Sequence, residues 1–460
     1  MLKKGPIKYY HLRIFGCQMN KSDGERIDAV MQKAGYKPTD DEKSADIIIA
    51  VMCSVRQSAV DRIYGLSGRW RKLPAEKVLT GCVLEFDQNK LAKQFDVILP
   101  ITMINELPKL ITKKQSGELS IINYQLSNKN KIPCNYLSIP PKRQSAHQAY
   151  VPIMTGCENF CTYCVVPYVR GREISRPAEK IINEVKYLVK QGYKKITLLG
   201  ENVNNYKNNR TIGQLDNGIV DFPALLKILA NIPGKFWLGF LTSNPENFSD
   251  ELIEVIAGEP KICNYIHLPI QSGSNVILKK MNRKYTKNEY LKLIKKIKKQ
   301  IPDIGLSTDI IVGFPGETKK QFEETAEVMR DLKYDMAYIA RYSPRPGTAA
   351  TRLTDDVTRE EKKRREKVLT EILKETALEN NRRLAGKILE VLVEDEVNKV
   401  NKVSAKGGPA SGWNNLLMGK TETFKNVKFE GPKNLIGKFV KVKVAKANEW
   451  GIEGELINNK

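Results

Sequence analysis

Gly156-Cys157-Glu158-Asn159-Phe160-Cys161-Thr162-Tyr163-Cys164-Val165-Val166-Pro167-Tyr168-Val169-Arg170-Gly171 opens the central part of this 460-residue chain. Three thiols stand there at Cys-x3-Cys-x2-Cys spacing, directly after a strand-like run that ends at Thr155. With eight cysteines in the chain, chance would place that spacing about 0.002 times, so it reads as chemistry. Zinc takes four ligands, usually as paired Cys-x-x-Cys, and a disulfide is disfavoured in a reducing cell. A compact loop of three thiolates suits an iron-sulfur cubane: it holds three irons and leaves the fourth open to a small molecule.

Outward from this loop, strand-like and helix-like segments alternate. Strands are expected up to Thr155 and over 195–200, 236–242, 265–270, 304–313 and 336–342. Helices are expected over 178–191, 222–231, 250–258, 286–300 and 318–332. About six such βα units specify a parallel barrel or a doubly wound sheet, and a barrel carries its site at the carboxyl ends of its strands. Thr358 and Glu361 form a capping box opening a long helix, with Gly386 as its C′ residue. Residues 387–396, 416–430 and 438–457 read as short strands with glycine-rich turns, suiting a small β-barrel that binds oligonucleotides. At the other end, strand-like 8–17 and 46–53 flank a helical 23–33, a βαβ start. Linker composition follows at Lys113 to Gly117 and Ser127 to Lys131, through Pro140-Pro141. The expected fold class is α/β: an amino-terminal doubly wound α/β domain over 1–135, a central partial (β/α)6 barrel over 145–385, and an all-β barrel over 386–460.

Cys17, Cys53 and Cys82 are scattered, and lone cysteines are usually small buried hydrophobes. All three end apolar runs, however, so a parallel sheet would gather them at one edge. Cys134 and Cys263 have no partner spacing and read as structural.

The cluster loop resembles that of the radical S-adenosylmethionine enzymes, and more narrowly of their methylthiotransferases. That resemblance implies a TIM-like radical SAM core in which Cys157, Cys161 and Cys164 bind a 4Fe-4S cluster whose open iron chelates S-adenosyl-L-methionine. It also implies that Tyr163 contacts adenine and that Gly200-Glu201-Asn202 receive the methionine amino group. Further cofactor contacts are expected at Thr242-Ser243 and within Asp309 to Glu317, including Gly313. Cys17, Cys53 and Cys82 match the family's amino-terminal domain, which holds a second, sulfur-delivering 4Fe-4S cluster; all six cysteines then act in catalysis through their clusters.

Gly16-Cys17-Gln18-Met19-Asn20, Cys53-Ser54-Val55-Arg56, His267 to Ser274 and Arg345-Pro346-Gly347-Thr348 resemble the MiaB-type members. Those insert a methylthio group at C2 of N6-isopentenyladenosine 37 of tRNA. They use one S-adenosylmethionine as methyl donor and another as the source of a 5′-deoxyadenosyl radical. The tail, at Gly419 to Glu422 and Asn426 to Val440, is similar to the TRAM domain, an RNA-binding barrel. The partners implied are the anticodon stem-loop of tRNA, an electron donor such as flavodoxin or ferredoxin, and a sulfur donor. Relatives acting on threonylcarbamoyladenosine in tRNA or on a ribosomal protein are the enzymatic alternatives, and a non-catalytic iron-sulfur RNA-binding protein is the third. The chain departs from the family pattern at Val51-Met52 (usually Asn-Thr), Glu201 (usually Gln) and Asn244 (usually His), none of which removes a ligand.

The charge balance, 76 Lys and Arg against 52 Asp and Glu for a net +24, fits a polyanionic partner. The segment Lys279 to Lys299 carries ten basic residues and one acid. It reads as a solvated outer helix or as a contact to the tRNA backbone. The longest apolar run, Ile47 to Cys53, is far below the ~20 residues of a membrane span, and Lys8, His11 and Arg13 interrupt the place of a signal core. A cytoplasmic protein without a membrane partner, monomeric by default, is expected. Gly431 to Lys438 is not a P-loop, since five residues separate its glycines and Phe439 replaces the magnesium-binding hydroxyl. The three histidines, 11, 147 and 267, have no metal or triad spacing, and His267 is expected inside the barrel.

Overall fold

The computed structural model describes residues 8–115, 122–123, 134–208, 218–397 and 415–457. Ile47–Cys53 is buried at all seven positions, as a strand covered on both faces must be. It lies at the centre of a six-stranded parallel sheet whose spatial order is Lys37–Pro38, Tyr9–Ile14, Ile47–Cys53, Glu76–Cys82, Val97–Ile98 and Ile122–Asn123. Val51 and Ile47 pack into the core on one face, and Met52 and Ile48 into that on the other. Strand order reverses between Tyr9–Ile14 and Ile47–Cys53, and this switch point is where doubly wound sheets bind their ligands.

Six parallel strands form the core in sequence order: Gln148–Pro152, Lys195–Leu199, Trp237–Phe240, Tyr265–His267, Gly305–Val312 and Met336–Arg341. They fall into two three-stranded sheets joined by the bridge Leu238↔Ile262. This is the open barrel expected, with strands shorter than their apolar runs because the chain turns into the site: Thr242, for instance, has a φ of 71°. The helix Gln18–Lys33 starts five residues before the expected 23, immediately after Cys17.

Thr358 caps the helix Arg359–Arg382 by accepting from the Glu361 amide. The reciprocal half of the expected capping box is missing, because the Glu361 carboxylate is taken by Arg364 and Arg365. Gly386 is left-handed as expected (φ 77°), yet it lies past the helix end and donates to Val444 of the tail. The tail closes as a barrel in the order Ile388–Glu396, Leu416–Lys420, Asn426–Glu430, Gly451–Leu456, Phe439–Asn448. Its 421–425 turn seats against the amino-terminal ends of the core strands. Phe424 stacks on Tyr265 with centroids 4.1 Å apart, Lys195 Nζ lies 4.2 Å over the Phe424 ring, and Lys425 pairs with Asp335. The barrel mouth is thereby left facing the amino-terminal domain. The side chain of Cys134 lies outside the described residues; Cys263 is buried against Trp237 and Leu392.

Candidate active site

Cys53 and Cys82 are the last residues of neighbouring parallel strands and are register partners. The pairing continues past them, with the Ser54 amide donating to Cys82 O at 2.8 Å. Cys17 occupies the N-cap of Gln18–Lys33, across the switch point. A close approach is required here: a Cβ on Gly16 (φ +135°) would lie 2.7 Å from Cys53 Cβ. Asn20 braces the loop, its amide donating to Met52 O at 3.0 Å while Cys17 Sγ donates to its Oδ1 at 3.2 Å. The side chains of Val51 and Met52 are fully buried, and their backbone carbonyls hold the segment around Cys17, Val51 O accepting from the Phe15 amide at 2.9 Å and Met52 O from Asn20. Burial pushes the Cys17 and Cys82 thiols up in pKa, against the pull of the Arg170 guanidinium.

The second triad begins where the strand before it has turned. Gly156 (φ +82°) is obligatory, since a Cβ would sit 2.0 Å from Arg172 O. The loop is pinned at Thr162, whose amide and hydroxyl donate to Met281 O and Lys280 O at 3.1 and 2.9 Å. Asn282 donates to the Asn159 and Phe160 carbonyls at 3.2 and 3.1 Å. Burial raises Cys157 to about 11 and Cys164 to about 12. Arg283 reaches Cys161 Sγ at 3.4 Å and Asn244 Oδ1 at 3.1 Å. Asn244 thus orients a cation that faces a thiol.

Around this loop lie the other expected contacts. Gly200, Glu201 and Asn202 directly follow Lys195–Leu199. Burial pushes the Glu201 carboxyl up to about 7 even though Arg170 opposes the shift. Asn202 Nδ2 and Oδ1, Ser243 Oγ and Glu201 Oε2 are buried and make no hydrogen bond among the described residues. Buried polar atoms left unpaired at a strand end call for a polar ligand. Thr242 O accepts from Val203 at 3.0 Å, fixing the two loops together. Tyr163 packs against Ile277, Met281, Phe314 and Tyr342. Asp309 lies at the mouth, 3.2 Å from His267 Nε2, whose other nitrogen meets Ser307 Oγ at 2.8 Å. Gly313 serves the turn: its amide donates to Glu317 at 2.6 Å, and a Cβ would meet Lys362 Cγ at 2.3 Å.

Among the described residues no three Cys, His, Asp or Glu side chains close on a single metal ion. A cubane instead spreads its thiolates over separate irons, and two sets of three thiols beside unpaired polar atoms fit two clusters and a polar cofactor. Sequence reasoning missed Arg170 and Arg283, and with Arg170 its buried partners Asp23 and Tyr136, which accept from its guanidinium at 2.6 and 3.1 Å. Arg170 lies within the quoted loop segment but shows no spacing that marks it; Arg283 is brought in by the fold alone. In Lys287–Gln300, Tyr290, Ile294 and Ile297 face the core, Lys296 pairs with Asp250, and Lys298 donates to Leu332 O.

Residues 151–329 match the Radical SAM superfamily, residues 9–101 the Uncharacterized protein family UPF0004, and residues 408–457 the TRAM domain. The chain is 41% identical to the tRNA-2-methylthio-N(6)-dimethylallyladenosine synthase of Clostridium botulinum strain Langeland, over 97% of each chain. The chain belongs to this synthase family. The enzyme of that name from Desulforamulus reducens is 41% identical, covering 98% of this chain and 96% of its own. That from Thermoanaerobacter pseudethanolicus is 40% identical over 99% and 94%. In fold, this synthase-family chain is similar to the radical S-adenosylmethionine methyltransferase TsrM from Kitasatospora setae. The TM-score is 0.52 at 13% identity, over 84% of this chain and 81% of that one. Members are radical SAM enzymes that use S-adenosylmethionine and 4Fe-4S clusters, and the six thiols and the unpaired polar atoms described above fit that chemistry.

Proposed function

We propose that this chain is a tRNA methylthiotransferase acting at C2 of N6-isopentenyladenosine 37 in the anticodon stem-loop. The observation that carries the reading is the placement of two cysteine triads at strand carboxyl ends that face each other, with Arg170 in contact with Cys82 and Glu201. The working units are 1–135, 145–385 and 386–460. Cys157, Cys161 and Cys164 would hold one 4Fe-4S cluster and Cys17, Cys53 and Cys82 the other. When bound, these clusters and two S-adenosylmethionine molecules supply the sulfur, the methyl group and the 5′-deoxyadenosyl radical that the insertion consumes.

The chain's own residues position and exclude water. Glu201, Asn202 and Ser243 would take the polar end of the cofactor, Tyr163 its adenine, and Gly200, Thr242, Asp309 and Gly313 the walls of its pocket. Glu201, where relatives usually have Gln, adds a carboxylate suited to an ammonium group. The closed tail barrel supports RNA as substrate, and the net charge of +24 supports it further. A flavodoxin or ferredoxin as electron donor, a separate sulfur donor, a monomeric state and a cytoplasmic location complete the reading; no helix among the described residues is long and apolar enough to cross a membrane.

The test is anaerobic reconstitution, with iron and sulfide counted and reductant-dependent 5′-deoxyadenosine measured with and without isopentenylated tRNA. About eight irons, cofactor cleavage and a methylthio nucleoside are expected. Cleavage without that nucleoside would refute the substrate, and loaded protein that cleaves nothing would refute the enzyme.

A further inference from the structure

Arg170 stands six residues after Cys164, on the core, yet its guanidinium reaches across to the amino-terminal domain and the segment that follows it. Nε donates to Cys82 Sγ at 3.0 Å, Nη1 to Tyr136 Oη at 3.1 Å and Nη2 to Asp23 Oδ2 at 2.6 Å. The same Nε lies 3.2 Å from Glu201 Oε1. Its side chain is 2% exposed and that of Asp23 0%, so solvent does not screen these charges. Arginine's planar fork fixes its partners in direction as well as distance. Cys82 and Glu201, from different domains, are thus held by one nitrogen of one cation.

We propose that Arg170 is a positioning residue for the amino-terminal cysteine site: it fixes the Cys82 thiolate and carries the negative charge of Glu201 to it, so that a barrel residue tunes the reduction potential of a cluster on Cys17, Cys53 and Cys82. This rests on the two-cluster reading above. Hydrogen bonds to cluster sulfurs and nearby positive charge both favour the reduced state. Removing the guanidinium therefore lowers the potential, and removing the Glu201 charge raises it.

The test uses the full chain carrying Cys157→Ala, Cys161→Ala and Cys164→Ala, reconstituted anaerobically so that only the amino-terminal triad can load, with about four irons expected. Its midpoint potential is followed by electron paramagnetic resonance. At about pH 9, where the Glu201 carboxyl held near 7 is ionised, Arg170→Gln is expected to move the midpoint to more negative values with altered g-values, Arg170→Lys to restore part of the shift, and Glu201→Gln to move it the opposite way. An Arg170→Gln protein with the parent's iron content, midpoint and spectrum overturns the proposal. Should Arg170→Gln lose iron, Glu201→Gln decides: an unmoved midpoint overturns the proposal, and a positive shift supports it. A parent that loads no iron overturns the two-cluster reading instead.

Discussion

Glu317 ends the Asp309 to Glu317 segment, which sequence alone places at the cofactor, but the structure buries it as the anchor of the turn. Its Oε2 accepts from the Gly313 amide at 2.6 Å and from Arg365 Nη1 at 2.7 Å, with side chains 1% and 3% exposed. Glu317→Gln keeps the volume and removes the charge; the amide oxygen can still accept from both donors, but as a neutral acceptor it leaves the Arg365 cation without its buried counter-charge. Breaking a buried ion pair from one side typically costs 3–5 kcal/mol. Arg365 retains Glu361 at 2.9 Å, so the low end, about 3 kcal/mol, is expected. For a unit of this size that is about 6–12 °C in Tm, read as the core transition in scanning calorimetry of the cluster-free chain. The turn also carries Gly313, so cofactor binding should weaken with it. A fall of less than about 2 °C would show that the pair is not holding the loop and refute the reasoning.

Replacing any one of Cys17, Cys53, Cys82, Cys157, Cys161 or Cys164 by Ala should abolish the methylthio nucleoside, whereas Cys263→Ala should retain it; product from Cys82→Ala by mass spectrometry would contradict the two-cluster scheme. Phe424→Ala removes the Tyr265 stack and the Lys195 contact of a half-buried ring. It should loosen the tail from the core by about 2 kcal/mol, read as faster amide exchange at 237–240 and 421–425. Arg364 and Arg365 hold the Glu361 carboxyl down to about 2. Its folded pKa is depressed, so its contribution to stability is complete above the unfolded value near 4.5 and is lost as pH falls from there toward 2. Glu361→Gln should flatten that part of the acid-melting curve of the cluster-free chain, and an unchanged curve would remove the pair from the account.

The open barrel and the closed tail were legible because their signals are local. Period-2 and period-3.6 apolar patterns fix which residues go inward, and the Cys157, Cys161 and Cys164 spacing holds three thiols within eight residues whatever surrounds them. The amino-terminal triad was legible only indirectly, through the rule that parallel strands end on the same side; that Cys53 and Cys82 are register partners is a fact of pairing. Helix starts and stops were less legible. Cys17 carries no strong capping signal, and the Glu361 carboxylate that would complete the capping box is claimed by two arginines a turn later.

Sequence by itself determined the domain order, the Cys157, Cys161 and Cys164 loop and the chemistry class, because each is carried by residue type and short-range spacing. Tertiary structure alone decided which cations serve which thiols. Arg170 crosses from the core to Cys82, 88 residues away, and Arg283 to Cys161, 122 residues away. No periodicity records such contacts, since the first depends on how the core meets the amino-terminal domain and the second on how distant loops of the core meet, and a buried guanidinium is directional only once its partners are in place.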